Sequence, residues 1–215
     1  MKLYSFFRSS AAYRVRIALN LKGLRYEYAA KHLRQGGGEQ KKPEYRALNP
    51  QGLIPALEDR GVVIPQSLAI IEYLEEAYPE SPRLLPERPA DRALVRAMAA
   101  GIACEIHPLN NLRVLGYLKS AMGQSEEATN VWYRHWVAEG FGALEELARR
   151  HSADGAHCFG DRVTIADVCL VPQVYNARRF EVDLSAFPTL AGVSDSLERV
   201  PAFADARPEA QPDAE

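Results

Sequence analysis

The chain has 215 residues, of which 47% are hydrophobic, and its formal net charge at pH 7 is −2. This length suits one long domain or two small ones with a sizeable core, and the small charge gives no global electrostatic reason to expect binding to nucleic acid or to a membrane surface. No apolar run approaches the ~20 residues of a membrane span, and Met1-Lys2 leads straight into a strand-like run, so we expect neither membrane insertion nor a signal peptide.

The first predicted elements are a short strand, a tight turn and a helix. Leu3 to Phe7 has strand composition, and Ser9 and Ser10 are hydroxyl residues of the kind that cap helix N-termini. Apolar residues at helical spacing then form two stripes, which predicts a helix between a sheet and another layer. A helix N-terminus stabilises an anion, and a Ser hydroxyl there can donate to a thiolate. The alternative is that the serines only cap the helix and the neighbouring arginines are solvated.

The rest of the first 80 residues alternates strand-like and helix-like segments. Tyr26 to Ala30 predicts a second strand, and Arg60-Gly61 lies between two apolar runs as the turn of a hairpin. Gln66-Ser67 then opens a helix. A βαβ unit followed by a helix, a hairpin and a final helix is an α/β pattern.

Everything after a Pro-rich stretch at 79–89 is predicted to be helical. We therefore predict domains at 1–80 and 91–215, joined by a linker at 81–90.

Within the helical half, Asp91 is expected to cap a long helix that Pro108 kinks or ends. Residues 126–150 form a second helix, and Thr164 begins a third with the spacing of a capping box. Polar, Pro-rich residues 207–215 are expected to form an extended or frayed tail.

Several ordered stretches give the chain a resemblance to a known family. The stretch S-S-x-x-x-R-V-R-I-A-L, which starts at Ser9, resembles the signature of zeta-class glutathione transferases, the maleylacetoacetate isomerase family. The similarity continues through A-L-N-P-Q-G-L-I-P-A-L, I-P-Q-S-L-A-I-I-E-Y-L-E-E and G-D-R-V-T-I-A-D-V-C-L-V-P-Q-V-Y-N-A-R-R-F. It therefore spans essentially the whole chain. The family has Ser-Ser-Cys at its active site, whereas Ala11 occupies the third position here.

This resemblance implies the glutathione transferase fold, which combines an α/β, thioredoxin-like N-terminal domain with an all-helical C-terminal domain. It also implies an active site in the cleft between them, glutathione as the cofactor, a small-molecule diacid as the substrate, and a homodimer. The three cysteines, Cys104, Cys158 and Cys169, are an odd and widely spaced set. They argue against a disulfide framework and for a reducing compartment, so we expect a cytoplasmic protein. No metal site is predicted.

The resemblance also implies which residues bind glutathione. Ser9 and Ser10 would hold its thiolate, without a choice between them. A cis Pro55 would leave the backbone of Ile54 free to pair with the tripeptide, although Pro55 alone could be an ordinary turn proline. The helix that begins at Ser67 would bind a carboxylate, although Ser67 alone could be a plain N-cap. The remaining glutathione contacts implied by the family are Gln40, Gln66, His107 and Asn111. For Gln40 the alternative is a solvated loop residue, and for His107 a structural hydrogen bonder.

Arginines are the implied substrate ligands. Arg8 falls on a family arginine beside the serines, and Arg179 matches a second one close to the substrate, with Arg178 as its neighbour. An arginine fork binds a carboxylate with two hydrogen bonds, which suits a diacid.

The implied activity is glutathione-dependent cis–trans isomerisation of a maleyl diacid, such as maleylacetoacetate to fumarylacetoacetate, in the catabolism of aromatic compounds. Glutathione, and no protein side chain, would provide the nucleophile. The stretches H-P-L-N-N and A-R-R-F resemble maleylpyruvate isomerases closely, so maleylpyruvate is the alternative substrate. A general glutathione transferase or peroxidase, or a non-catalytic glutathione-binding module, are alternatives of other classes.

Overall fold

The computed structural model describes residues 1–215, which form two compact units. The first unit consists of Met1–Leu84 together with Arg199–Glu215, and the second of Leu85–Glu198. The functional division into 1–80, 81–90 and 91–215 stays a prediction. No helix combines the length and the apolar character that a membrane crossing requires.

The strands and helices follow the predicted order. The strands are β1 Lys2–Ser5, β2 Glu27–Ala30, β3 Ala56–Asp59 and β4 Val62–Pro65. The helices of the first unit are α1 Ser10–Leu21, α2 Pro43–Leu48, α3 Ser67–Ala77 and the short α9 Pro201–Ala204. The helices of the second unit are α4 Pro89–Ala100, α5 Leu112–Ser120, α6 Glu126–His151, α7 Ile165–Arg179 and α8 Pro188–Leu197.

The sheet of the first unit has the strand order β2-β1-β3-β4. β1 runs parallel to β2 and antiparallel to β3, so Leu3 pairs with both Tyr28 and Leu57. β3 and β4 form the predicted hairpin, in which Arg60 and Gly61 have φ values of 49° and 80°. Positive φ at both central residues matches the twist of the two strands. The βαβ unit and the hairpin are thereby confirmed.

Helix α1 is buried along almost its whole length. Val15, Ile17 and Leu19 have no exposed surface, as the two apolar stripes predict, and Arg14 and Arg16 are only 1% and 0% exposed. The interpretation of these arginines as solvated is therefore wrong. The physical reason is that α1 packs against two helices, α3 and α9, which together bury its arginines.

The C-terminal tail is ordered, so the expected extended or frayed tail is also wrong. Pro208–Ala210 forms a 3-10 turn. The buried Gln211 side chain donates from Nε2 to the carbonyl oxygens of Asp205 and Arg207, both at 2.8 Å. These bonds fold the segment back on itself.

In the second unit, α4 runs directly into a π-helical turn, Gly101–Ile106, with Pro108 beyond it. The kink predicted at Pro108 therefore takes the form of a widened turn before it. Asp91 lies in the first turn of α4, and the N-cap is Arg88, because the chain enters the helix through Pro89. The expectation that Asp91 caps this helix is wrong.

The capping box at the start of α7 is confirmed. Asp167 Oδ2 accepts from both the backbone N–H and the hydroxyl of Thr164, at 2.7 and 2.8 Å. Asp167 Oδ1 also accepts from the N–H of Cys158 at 2.7 Å. Burial raises the pKa of Asp167, whereas these three hydrogen bonds oppose that rise. The carboxylate thus ties the preceding loop to the helix start.

Candidate active site

Ser9 stands at the N-cap of α1. Its φ and ψ are −71° and 113°, and its Oγ accepts from the N–H of Ala12 at 3.2 Å. Ser9 N–H donates to Phe6 O at 3.0 Å and closes the turn that follows β1. Because Oγ acts as an acceptor in the cap, its own proton can still be donated. Ser10 is the first helical residue and is buried, whereas Ser9 is half-buried. This geometry supports Ser9 as a donor to an anion.

The buried Arg16 guanidinium binds the turn between β1 and α1. It donates to Phe7 O at 2.9 Å, to Phe6 O at 3.4 Å and to Ser5 Oγ at 3.2 Å. Burial lowers the pKa of Arg16, but a guanidinium stays cationic at neutral pH. A positive charge therefore lies beneath the N-terminus of α1. The sequence did not predict that Arg16 binds this turn, because the burial of a charged residue depends on tertiary contacts that local sequence does not reveal.

Arg8 follows Phe7 in the same turn. It is half-buried, and its guanidinium carbon is 4.8 Å from the centroid of the Phe7 ring. A guanidinium stacked on a ring keeps its edge N–H groups available, so Arg8 can still accept a carboxylate partner.

The turn before β3 holds Ile54 and Pro55. The peptide bond between them is cis, and Ile54 lies two residues before strand β3, which begins at Ala56. The Tyr45 hydroxyl and Asn49 Nδ2 both donate to Leu53 O at 2.8 Å and fix the approach to this turn. Burial raises the pKa of Tyr45 to about 12, so it remains a donor at neutral pH.

Helix α3 begins at a buried serine backed by an arginine. Ser67 Oγ accepts from Arg14 Nη1 at 3.4 Å, and Ser67 is the first helical residue. The N-cap is Gln66, so the interpretation of Ser67 as a plain N-cap is wrong. Gln66 has a φ of 70°, a left-handed value that is costly for a residue with a side chain, and its Nε2 donates to Gln51 Oε1 at 2.8 Å. A helix N-terminus with a hydroxyl and a nearby guanidinium suits a carboxylate.

Gln40 is buried, with 6% of its surface exposed, so the alternative of a solvated loop glutamine is wrong. Its Nε2 donates to Leu33 O at 3.3 Å. The loop closes over it at Gly38, where a Cβ would lie 2.7 Å from Gln40 Oε1 and φ is 96°. The Gly-rich loop therefore encloses this side chain.

In the second unit, His107 ends the π-helical turn and its N–H donates to Ile102 O at 2.9 Å. Asn111 is the N-cap of α5, and its side chain accepts from the N–H of Arg113 at 2.9 Å. The segment between them is tied to α6, because Trp132 Nε1 donates to Leu109 O at 2.9 Å.

The two arginines at the end of α7 have different surroundings. Arg178 donates to Asp195 Oδ1 and to Glu198 Oε1, and thus already has two carboxylate partners. The Arg179 guanidinium carbon lies 4.9 Å from the centroid of the Phe180 ring. These two carboxylate partners make Arg178 the weaker candidate for binding a substrate carboxylate.

Tyr133 is a residue near Arg179 that the sequence analysis did not single out. Its ring stacks on Phe180 with centroids 3.7 Å apart and 11° between the planes. Burial raises the pKa of its hydroxyl to about 12, against the opposing effect of the Arg179 charge. Its carbonyl oxygen accepts from Asn110 Nδ2 at 3.3 Å. Tyr133 therefore connects the segment of His107 and Asn111 with the end of α7.

The structure thus groups the predicted residues within each unit. In the first unit, Ser9 and Ser67 mark the N-terminal ends of two helices that pack against each other. In the second unit, Tyr133 links the 107–111 segment to Arg179. The functional roles of these residues stay predictions.

Two family models match the chain, and both describe domains of glutathione S-transferases. The family model described as glutathione S-transferase, N-terminal domain, matches residues 3–82, and the one for the C-terminal domain matches residues 130–207. A probable maleylacetoacetate isomerase from Vibrio cholerae is 57% identical over 99% of this chain and 97% of its own.

Solved structures are equally similar. A structure described as holo maleyl pyruvate isomerase, a bacterial zeta-class glutathione-S-transferase, is 48% identical, with a TM-score of 0.95 and full coverage of both chains. Maleylacetoacetate isomerase from Anaeromyxobacter dehalogenans 2CP-1, with dicarboxyethyl glutathione and citrate bound in the active site, is 39% identical. Its TM-score is 0.85, over 100% of this chain and 97% of that one. These similarities confirm the fold predicted from the sequence motifs, and the chain belongs to the glutathione transferase family, in its zeta class.

Proposed function

We propose that this protein is a glutathione-dependent cis–trans isomerase that converts maleylacetoacetate to fumarylacetoacetate in the catabolism of aromatic compounds. The observation that carries the proposal is the N-terminus of α1, where Ser9 caps the helix and keeps a proton to donate. The 57% identity to a probable maleylacetoacetate isomerase over nearly the whole chain supports the choice of reaction.

The residues of the first unit fit glutathione. The helices α1 and α3 each offer an N-terminus with a serine, and a tripeptide with a thiolate and a γ-glutamyl carboxylate needs two such anion sites. Ser67, backed by Arg14, would hold the carboxylate, with Gln66 beside it. The backbone of Ile54 at the cis Pro55 turn would pair with the peptide.

Further contacts to glutathione would come from Gln40 in the first unit and from His107 and Asn111 in the second.

When bound, glutathione would supply a thiolate that adds to the cis double bond; after rotation about the resulting single bond, elimination of the thiolate would re-form the double bond in the trans product. Ser9 and the first N–H groups of α1 lower the pKa of that thiol, because they stabilise the charged form. Arg16, beneath the same turn, adds a fixed positive charge. Ala11, which stands in the position of the family cysteine, leaves this arrangement intact because no protein thiol is needed.

Two arginines would bind the substrate. Arg8 and Arg179 hold its carboxylates and stabilise the enolate charge that develops during the reaction. Arg178 is occupied by Asp195 and Glu198 and is therefore the weaker candidate.

Maleylpyruvate is the second candidate substrate. It is favoured by the TM-score of 0.95 and the 48% identity to the structure described as maleyl pyruvate isomerase. The two substrates share the maleyl diacid and differ by a short acyl extension, so the same residues would serve both.

We also propose a homodimer in the cytoplasm. The homodimer is what membership of the glutathione transferase family implies, because zeta-class members are dimeric. All three cysteines are free thiols, which fits a reducing compartment. Light scattering of the purified protein should give twice the chain mass of 23.9 kDa, and a monomer mass would contradict the dimer.

The function is tested by assaying the purified protein with maleylacetoacetate and with maleylpyruvate, each with and without glutathione. We expect glutathione-dependent turnover, with a higher kcat/KM for maleylacetoacetate. A higher kcat/KM for maleylpyruvate would select the second candidate. Binding of glutathione without turnover of either diacid would contradict the isomerase function and favour a transferase or a binding module.

A further inference from the structure

The C-terminal tail ends against the turn that carries Ser9. Asp213 Oδ2 accepts from the backbone N–H of Phe7 at 3.1 Å, and Oδ1 accepts from the Tyr28 hydroxyl at 2.6 Å. Phe7 lies two residues before Ser9, and Tyr28 is part of β2. One carboxylate from the end of the chain therefore joins the turn to the neighbouring strand.

The backbone of this turn is held at both ends of Phe7. Asp213 binds its N–H, and Arg16 Nη2 donates to its carbonyl oxygen at 2.9 Å. Arg16 Nη1 also donates to Phe6 O at 3.4 Å, and the same oxygen accepts from the Ser9 N–H at 3.0 Å. Asp213 and Ser9 are thus connected through a continuous series of hydrogen bonds around a two-residue turn.

The tail that carries Asp213 is itself fixed on both sides. On one side, Arg16 Nε donates to Ala206 O at 3.0 Å and the buried Gln211 ties the chain back on itself. On the other side, Glu215 Oε1 lies 2.9 Å from His32 Nε2 and accepts from Gln35 Nε2 at 2.9 Å. The Asp213 carboxylate is therefore held against Phe7 by contacts that do not involve Phe7.

We propose that Asp213 is a positioning residue for the thiolate site: by holding the backbone of Phe7 it fixes the direction of the Ser9 hydroxyl and of the first N–H groups of α1. The inference rests on the proposed function, because it assigns Asp213 a role at the same site. In this role Asp213 acts through its hydrogen bond to Phe7, together with Arg16, and not as a ligand of cofactor or substrate.

The Asp213→Ala variant should loosen this turn. A displacement of about 1 Å at a reacting group can cost ~100-fold in rate, and a loosened turn that is still closed by Arg16 should lose about tenfold in kcat. The pKa of bound glutathione should rise. Affinity for S-methylglutathione, which has no thiol, should change by less than about twofold, because the rest of the tripeptide is bound elsewhere.

Three variants separate positioning from simple stabilisation. Tyr28→Phe removes the other hydrogen bond of the same carboxylate and leaves the Phe7 contact in place. Asp213→Asn keeps an acceptor oxygen for the Phe7 N–H and should restore most of the activity. Asp205→Ala removes an exposed carboxylate from the same C-terminal segment and controls for the loss of charge.

Two measurements on the full-length protein decide the question. Amide hydrogen exchange without glutathione should show faster exchange at Phe7 and Ser9 in Asp213→Ala, and parent-like exchange in Tyr28→Phe and Asp205→Ala. Titration of the thiolate absorbance of bound glutathione should show a raised pKa in Asp213→Ala alone.

The proposal is overturned if Asp213→Ala lowers the melting temperature while Ser9 exchange and the thiol pKa match the parent. It is also overturned if Tyr28→Phe has the same effects as Asp213→Ala, because the role would then be stability alone. If the parent enzyme itself leaves the thiol pKa at its solution value, the proposed function is wrong. Exchange at Ser9 still decides the positioning role in that case.

Discussion

Replacing Ser9 with alanine tests the thiolate site most specifically. The hydroxyl has two separate roles. Its oxygen accepts from the Ala12 N–H and caps α1, and its proton can be donated to an anion. Loss of the first role should change the stability of the protein, and loss of the second should change the pKa of bound glutathione.

The hydrogen bond from Ser9 to the thiolate determines the expected change in the thiol pKa. A hydrogen bond to a charged group contributes about 1.5–3 kcal/mol. One pKa unit corresponds to about 1.4 kcal/mol, so Ser9→Ala should raise the pKa of bound glutathione by about 1–2 units. Wherever the pH lies below both values, the thiolate fraction and the turnover should fall about 10- to 100-fold.

The capping contact with the Ala12 N–H determines the expected change in stability. Loss of an N-cap side chain costs about 1 kcal/mol, which corresponds to a melting temperature lower by about 2–4 °C for a chain of this size. Ser9→Thr keeps both the cap and the hydroxyl and should retain most of the activity.

The assay is a pH titration of the thiolate absorbance of glutathione bound to the parent, to Ser9→Ala and to Ser10→Ala. Ser10 is buried in the first helical turn, so its replacement should leave the thiol pKa close to that of the parent. Small and equal shifts in both alanine variants would refute the reasoning, because the backbone N–H groups of α1 would then stabilise the thiolate alone.

Three further predictions concern substrate binding and packing. Arg179→Ala should raise KM for the diacid about tenfold or more, whereas Arg178→Ala should change it little, since Arg178 already binds two carboxylates; equal effects in steady-state kinetics would contradict this assignment. Arg8→Ala should raise KM for diacids more than for uncharged electrophiles, and parallel increases would assign Arg8 to glutathione or to the fold. Gly140→Ala should lower the free energy of unfolding by about 1–3 kcal/mol, measured by denaturant titration, because the new Cβ would lie 2.2 Å from Cγ1 of the buried Ile106; an unchanged midpoint would show that Ile106 moves without cost.

Local sequence patterns predicted those features that depend on a few neighbouring residues. The capping box of Thr164 with Asp167 and the hairpin turn at Arg60-Gly61 are examples, because backbone geometry over two to four residues determines both. The family resemblance supplied the candidate glutathione residues, including the turn at Pro55, whose preceding peptide bond is cis in the structure.

Features that depend on distant contacts could not be predicted in the same way. The sequence context of Arg16 is that of a solvated helix residue. In the structure the segment around Ala206, 190 residues further along the chain, covers it. Asp213 lies in a polar, Pro-rich stretch whose composition indicates disorder, and its order comes from Phe7 and Tyr28. Tyr133 had no local signal, since its partner Phe180 lies on another element.

The most direct test of the central claim is a comparison of glutathione with S-methylglutathione in the isomerase assay, with maleylacetoacetate and maleylpyruvate as substrates. Both tripeptide ligands should bind, but only glutathione should support turnover, and S-methylglutathione should inhibit in competition with it. Turnover with S-methylglutathione, or turnover of either diacid without any tripeptide, would contradict a mechanism that depends on the glutathione thiol.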